Sequence, residues 1–194
     1  MFNFPLSHYE TPKQSSLRLG NIEIIIHKPK LDMYGGKTGR LPLTGVSLIK
    51  KFESFYPYAY VDPLSGGLPI TIGWGSTTKK DGSPWHLGDR ITKKEADNLL
   101  IYQLEHDYLP KLEKIPGWKK LNVKQKGAIL SFAYNLGANF YGDKKFHTIT
   151  KLLDWRDFKR LKRVLVMYRN PGTRVEAGLR IRRETEVAIF FSSY

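Results

Sequence analysis

Residues 48–63 read LIKKFESFYPYAYVDP, and residues 71–75 follow as TIGWG. Glu53 and Asp62 are the only acids between Lys50 and Lys80, in a strip otherwise rich in aromatic residues, proline and glycine. Just upstream, Val46, Ile49 and Glu53 fall at i, i+3 and i+7, with Leu48 and Phe52 beside them. That spacing predicts a short helix with Glu53 on its apolar face, near its end. Downstream, Pro57, Asp62-Pro63, Ser65-Gly66-Gly67, Pro69 and Gly73 are turn-forming, and Ile70 and Ile72 alternate with Thr71. A small antiparallel sheet is the expected outcome.

The two acids are thereby given different surroundings. A carboxyl among apolar side chains loses solvation when ionised and is expected to keep its proton, whereas Asp62 sits in a turn that water can reach. Such a contrast suits an acid and a base acting together on a glycosidic bond. On spacing alone, two ordinary surface acids are the favoured reading.

The rest of the chain bounds the choices. Its 194 residues suffice for one domain with an appendage. Cysteine is absent, which excludes disulfides, thiolate zinc sites and cysteine nucleophiles. The five histidines lack paired metal-ligand spacing, so no metal and no cofactor is expected. Gly66-Gly67 lacks the lysine and the strand-helix context of a phosphate loop. A net charge of +14 favours polyanions without choosing among nucleic acid, anionic lipid and an acidic cell wall. The basic segment Lys159-Arg-Leu-Lys-Arg163 is read first as the solvated face of a helix, so no specific nucleic acid is expected. No apolar run approaches a membrane span, and MFNFPLSHYE lacks the pattern of a classical secretory signal.

Residues 1–43 differ in texture, with Pro5, Pro12, Pro29, Pro42 and Gly35-Gly36. They hold one clear strand, where Ile22, Ile24 and Ile26 alternate. An extended N-terminal arm carrying a strand or hairpin is expected, with a strand packed on the main domain an equal reading, followed by that domain over 44–194. In that domain Thr92-Lys-Lys-Glu95 is a capping box opening a helix that reaches about Tyr108, ahead of Pro110. Further helices are expected from near Asn122 to Asn135-Leu-Gly137, over about 147–168, and over 178–191. The fold class is α+β: a mostly helical domain with a small antiparallel sheet.

Five blocks now occur in order: LIKKFESFYPYAYVDP, TIGWGST, ITKKEADNLL, LSFAYNLGA and GLRIRRETEVAIF. Together they resemble the signatures of the phage-type lysozymes, the endolysin family that includes the T-even phage lysozyme, across about residues 43–191. The resemblance implies a lysozyme-like domain whose sheet lies next to the active-site cleft. It also implies hydrolysis of the β-1,4 bond between N-acetylmuramic acid and N-acetylglucosamine in bacterial peptidoglycan. On it, Glu53 is the general acid, and Asp62 and Thr71 hold the attacking water. The sugar product is then inverted, with carboxyls ~6.5–9.5 Å apart. Tyr134 and Asn135 match the start of the family's cleft-lining helix and are expected to bind substrate. One of Arg180, Arg182 and Arg183 is a candidate partner for Glu53, with helix-surface and core salt-bridge roles equally open.

The match has two departures. Eight residues, Pro63 to Ile70, separate Asp62 from Thr71 where the family usually leaves five, so the hairpin is longer and could displace Asp62. The histidine that commonly ends the family's TIGYGH run is Ser76 here, which is expected to cost a structural contact. Two other readings stay open: a lytic transglycosylase, and a non-catalytic wall-binding virion component with a degenerate lysozyme domain. The resemblance further implies an enzyme made in the host cytoplasm that reaches the wall through a holin-type pore or on a virion. It is expected to be a monomer unless the arm pairs with another chain, such as a virion or tail protein.

Overall fold

The structure is a computed structural model. It describes residues 41–61 and 67–192, and the backbone of two further strands at 15–19 and 22–26. These two, β1 (Ser15–Leu19) and β2 (Ile22–Ile26), pair antiparallel as a hairpin with Leu17 opposite Ile24. The isoleucine strand thus has a partner in its own chain, and the hairpin is a sheet separate from the one near Glu53.

Helix α1 (Leu43–Glu53) ends at Ser54, whose φ of 58° and ψ of 158° turn the chain into β3 (Tyr56–Val61). That backbone region is costly for any residue with a side chain. Strand β3 pairs antiparallel with β4 (Ile70–Gly73), setting Tyr60 opposite Thr71 and Val61 opposite Ile70. The predicted small sheet is this hairpin. Asp62 lies outside the described residues.

Thr92 and Glu95 form the expected capping box at the start of α2 (Lys93–Gln103). The helix does not stop before Pro110. It passes through a π-helical turn at Leu104–Tyr108 into α3 (Leu109–Leu112), with Pro110 in α3's first turn. Proline lacks an N–H and collides with a preceding carbonyl in a regular α-helix. A wider turn just before it lets the helix continue.

Helix α4 (Val123–Leu136) starts at a second capping box, between Asn122 and Gln125. It is the central element, packed by α1 on one side and by α7 (Glu176–Phe191) on the other. Where α1 crosses α4 the backbones almost touch: a Cβ added to Gly127 would stand 2.7 Å from the Gly45 nitrogen. Leu130, Phe132 and Ala133 of α4 are fully buried in the core with Val46, Ile49 and Phe190.

The stretch 147–168 is two helices, α5 (His147–Asp154) and α6 (Phe158–Leu165), where the sequence predicts one. Arg156 adopts a φ of 54° between them, and Asp157 caps α6 by accepting from the Arg160 N–H. Apolar periodicity runs through such a break because both halves face the same core.

Candidate active site

The last residue of α1 carries the expected acid. Glu53 is half-buried, and its Oε1 lies 2.5 Å from Nη1 of Arg182. The carboxyl was expected on the apolar face of α1, with three arginines as candidate partners, and the cation beside it is Arg182. Apolar periodicity on α1 could not show it, because the arginine arrives from α7, 129 residues away.

Arg182 is almost wholly buried and is held at several atoms. Its Nη2 donates to the Ser131 carbonyl at 3.1 Å, its Nε to Glu186 Oε1 at 3.3 Å, and its guanidinium lies 5.5 Å from the Phe52 ring. Glu186 is fully buried, and its Oε1 also accepts from Ser131 Oγ at 2.7 Å and Arg183 Nη2 at 2.9 Å. Arg183 Nε is 2.8 Å from Glu186 Oε2, near enough for an ion pair but misaligned for a hydrogen bond.

Two arginines and two carboxylates are thus linked, with Glu53 at the exposed end. Burial pushes the Glu186 carboxyl up and the Arg183 guanidinium down to about 10, each against the opposing pull of its partner. Of the three arginine candidates, Arg182 takes Glu53, Arg183 takes the core pair, and Arg180 is exposed. Glu186 and Ser131 were not foreseen. The spacing of Glu186 at i+4 from Arg182 and i+3 from Arg183 was the available signal.

On its other side Glu53 faces the loop after β4. Gly75 has a φ of 95°, and a Cβ there would sit 3.4 Å from Glu53 Oε2 and 3.7 Å from the Tyr134 hydroxyl. The loop is tied down by that hydroxyl, which donates to the Trp74 carbonyl at 2.9 Å. Tyr134 also packs on Tyr108 with ring centroids 5.3 Å apart. Burial raises the Tyr108 phenol to about 12 and Tyr134 well above its ordinary value, so both stay protonated.

Gly75 and Tyr134 line a polar cleft of about 260 Å³ with Ser76, Gln103, Asp107 and Lys111. Tyr134 and Asn135 lie in the last turn of α4, where the sequence match placed a helix start. Asn135 Oδ1 is buried and has no hydrogen-bond partner among the described residues. Thr71 is buried on β4, opposite Tyr60. The structure thus gathers Glu53, Tyr134 and the loop from Trp74 to Ser76. Asp62, and with it the Glu53–Asp62 separation, lies outside the described residues, one position after Val61, which β4 pins in register.

Ser76 does not leave its contact empty, as was expected. Gln103 Nε2 donates to Ser76 Oγ at 2.9 Å and to the Thr78 carbonyl at 3.2 Å, and Ser76 Oγ donates to that carbonyl at 2.7 Å. Beside it, the buried Asp97 accepts from Trp74 Nε1 at 2.7 Å and pairs with Lys50 at 2.6 Å, fastening α1 and α2 to the loop after β4.

Among the described residues no three histidine or acidic side chains group as metal ligands, and no helix is long and apolar enough to cross a membrane.

The endolysin of Lactococcus phage c2 is 31% identical over 149 residues, covering 75% of this chain and 58% of that protein. The chain therefore spans less than two thirds of its length. A P22 lysozyme variant superposes with a TM-score of 0.59 at 26% identity, over 76% of this chain and 95% of the other. An endolysin of the Escherichia coli phage FAHEc1 superposes with a TM-score of 0.64 at 24% identity, over 81% of this chain and 95% of the other, which speaks for the fold. Residues 50–186, most of the chain, match the phage lysozyme family, and the protein belongs to it.

Proposed function

We propose that this protein is a muramidase that hydrolyses the β-1,4 bond between N-acetylmuramic acid and N-acetylglucosamine in bacterial peptidoglycan. The observation that carries the reading is the placement of Glu53: an acid at the end of a helix, half open to solvent, clamped by a buried arginine and set against the wall of a polar cleft. In this role Glu53 protonates the leaving oxygen, and Asp62 with Thr71 orients the attacking water. The orphaned Asn135 Oδ1 supports a substrate-binding role for Asn135, as acceptor from a sugar hydroxyl or N-acetyl N–H. Tyr134 supports the site differently, as its hydroxyl is spent on the Trp74 carbonyl and fixes the cleft wall.

Glu53→Gln is the test. The amide keeps the shape but cannot give a proton, so muropeptide release falls by about 10²-fold or more with the fold unchanged by circular dichroism. Near-wild-type release would remove Glu53 from the role.

Residues 1–43 are read as an arm for attachment to a virion, tail or other carrier, with 44–194 as the catalytic domain. The separation of the β1–β2 hairpin from the β3–β4 sheet supports that division. The chain begun at Leu41 then folds and keeps most of its activity on isolated peptidoglycan. Insolubility or loss of activity would make the arm part of the domain. Delivery to the wall by such a carrier, or through a holin-type pore, belongs to the same reading.

A further inference from the structure

A second concave site lies between α5 and α6, sharing no lining residue with the cleft. It encloses about 420 Å³. Two stripes face across it: Thr148, Lys151, Leu152 and Trp155 from the α5 side, and Arg160, Arg163 and Val164 from α6. The sharp turn at Arg156 brings them together. Its floor is apolar, with Leu152 buried and Val164 half-buried, and its rim is cationic.

Trp155 forms the wall and is 66% exposed, although tryptophan is one of the residues with most to gain from burial. The core does not use it. Lys151 Nζ lies 5.8 Å from its ring centroid. Neither Lys151 nor Arg163 makes an ion pair with a described residue, and Arg160 has only a 3.4 Å contact with Asp157 at the surface. Exposed pairs of that kind are weak and readily exchanged.

We propose that this groove binds a phosphodiester-linked wall polymer, with Trp155 packing on its carbon skeleton and Lys151, Arg160 and Arg163 taking its phosphates. The choice of polymer rests on the wall-hydrolase reading, and the groove's anionic preference rests on its own charge. Three cations around an apolar floor bracket one flexible chain. A rigid duplex would bring further phosphates against Asp154 and Asp157, which flank the turn. A lipid surface would need several protruding apolar residues, and of the apolar residues lining the groove Trp155 alone is exposed, with Leu152 buried and Val164 half-buried.

Binding of the full chain to poly(glycerol phosphate) oligomers tests this by fluorescence anisotropy at several salt concentrations. Trp155→Ala weakens binding by about fivefold or more, the loss expected from removing the packing of one or two CH₂ groups on the indole. Arg163→Gln and Lys151→Gln each lower the slope of log affinity against log salt by about one. Lys94→Gln, an exposed charge on α2 removed at equal net cost, leaves affinity and slope near wild type. Groove variants no weaker than Lys94→Gln would overturn the proposal. So would tighter, Trp155-dependent binding to duplex DNA or to phosphatidylglycerol vesicles at equal phosphate. Trp155→Ala keeps its activity on polymer-stripped peptidoglycan, and a parallel loss there would make the tryptophan a support of the fold. Glu53→Gln binds the polymer like wild type, so failure of the muramidase reading and failure of the groove are separately visible.

Discussion

Arg182 has one guanidinium and two carboxylates to serve. Its Nη1 reaches Glu53 and its Nε reaches Glu186, a span that a planar fork can bridge and an ammonium cannot. Arg182→Lys is therefore expected to lower kcat by about tenfold, because the acid is no longer held to one position, while KM changes little. Steady-state kinetics on a soluble glycan separates the two. An equal rise in KM would show that Arg182 shapes substrate binding. Glu186→Ala acts more broadly, since it leaves the buried Arg183 without its carboxylate and Arg182 with Glu53 alone, a loss of about 3–5 kcal/mol in comparable sites. Much at this scale was hidden from the sequence. Glu53 was legible from its helix position and motif, but choosing Arg182 from three arginines required the crossing of α7 over α4, which no local pattern encodes.

Among the helices, the crossing of α1 over α4 decides where Glu53 stands. A methyl on Gly127 would meet the Gly45 nitrogen at 2.7 Å and the Thr44 Cβ at 2.9 Å, contacts that only backbone movement can relieve. Gly127→Ala gains about 1 kcal/mol of helix propensity. The overpacking costs about 1–3 kcal/mol and more where backbone must move, so the net effect is destabilising. Urea denaturation measures it, and a stabilised variant would show that the helices stand further apart. The Thr92–Glu95 capping box was legible because it is a contact within four residues. This crossing was not, since a glycine inside a helix reads only as a cost, and the break at Arg156 and the π-helical passage before Pro110 escaped for the similar reason that backbone geometry, rather than residue pattern, makes them.

Helix capping also gives a pH dependence of definite sign. The Thr92 N–H and hydroxyl, at 2.8 and 2.7 Å, hold the Glu95 carboxyl below its ordinary value of 4.5. A carboxyl whose pKa is lower folded than unfolded adds stability above its unfolded value and loses it as pH falls through the folded one. Glu95→Gln should thus have a lower Tm than wild type at pH 7, with the two converging as pH falls through and below the lowered pKa of the Glu95 carboxyl. A constant difference at all pH values would assign the effect to packing. The Ser76–Gln103 bond joins two groups that do not titrate, so the loop beside Glu53 is fastened without any charge change as pH varies.

For the whole molecule, the order of elements brings the candidate site together. The end of α1, the β3–β4 hairpin, the last turn of α4 and the second turn of α7 converge on Glu53, while the excess positive charge, +14 in all, suits a polyanionic surface. The fold class and the order of motifs were readable from sequence because each block carries its own turn or cap. The central claim is that water, activated opposite Glu53, completes the cleavage. Mass spectrometry of muropeptides released in ¹⁸O-labelled water tests it directly. Reducing N-acetylmuramic acid ends carrying one ¹⁸O are predicted, whereas unlabelled 1,6-anhydro ends would show an intramolecular attack and contradict it.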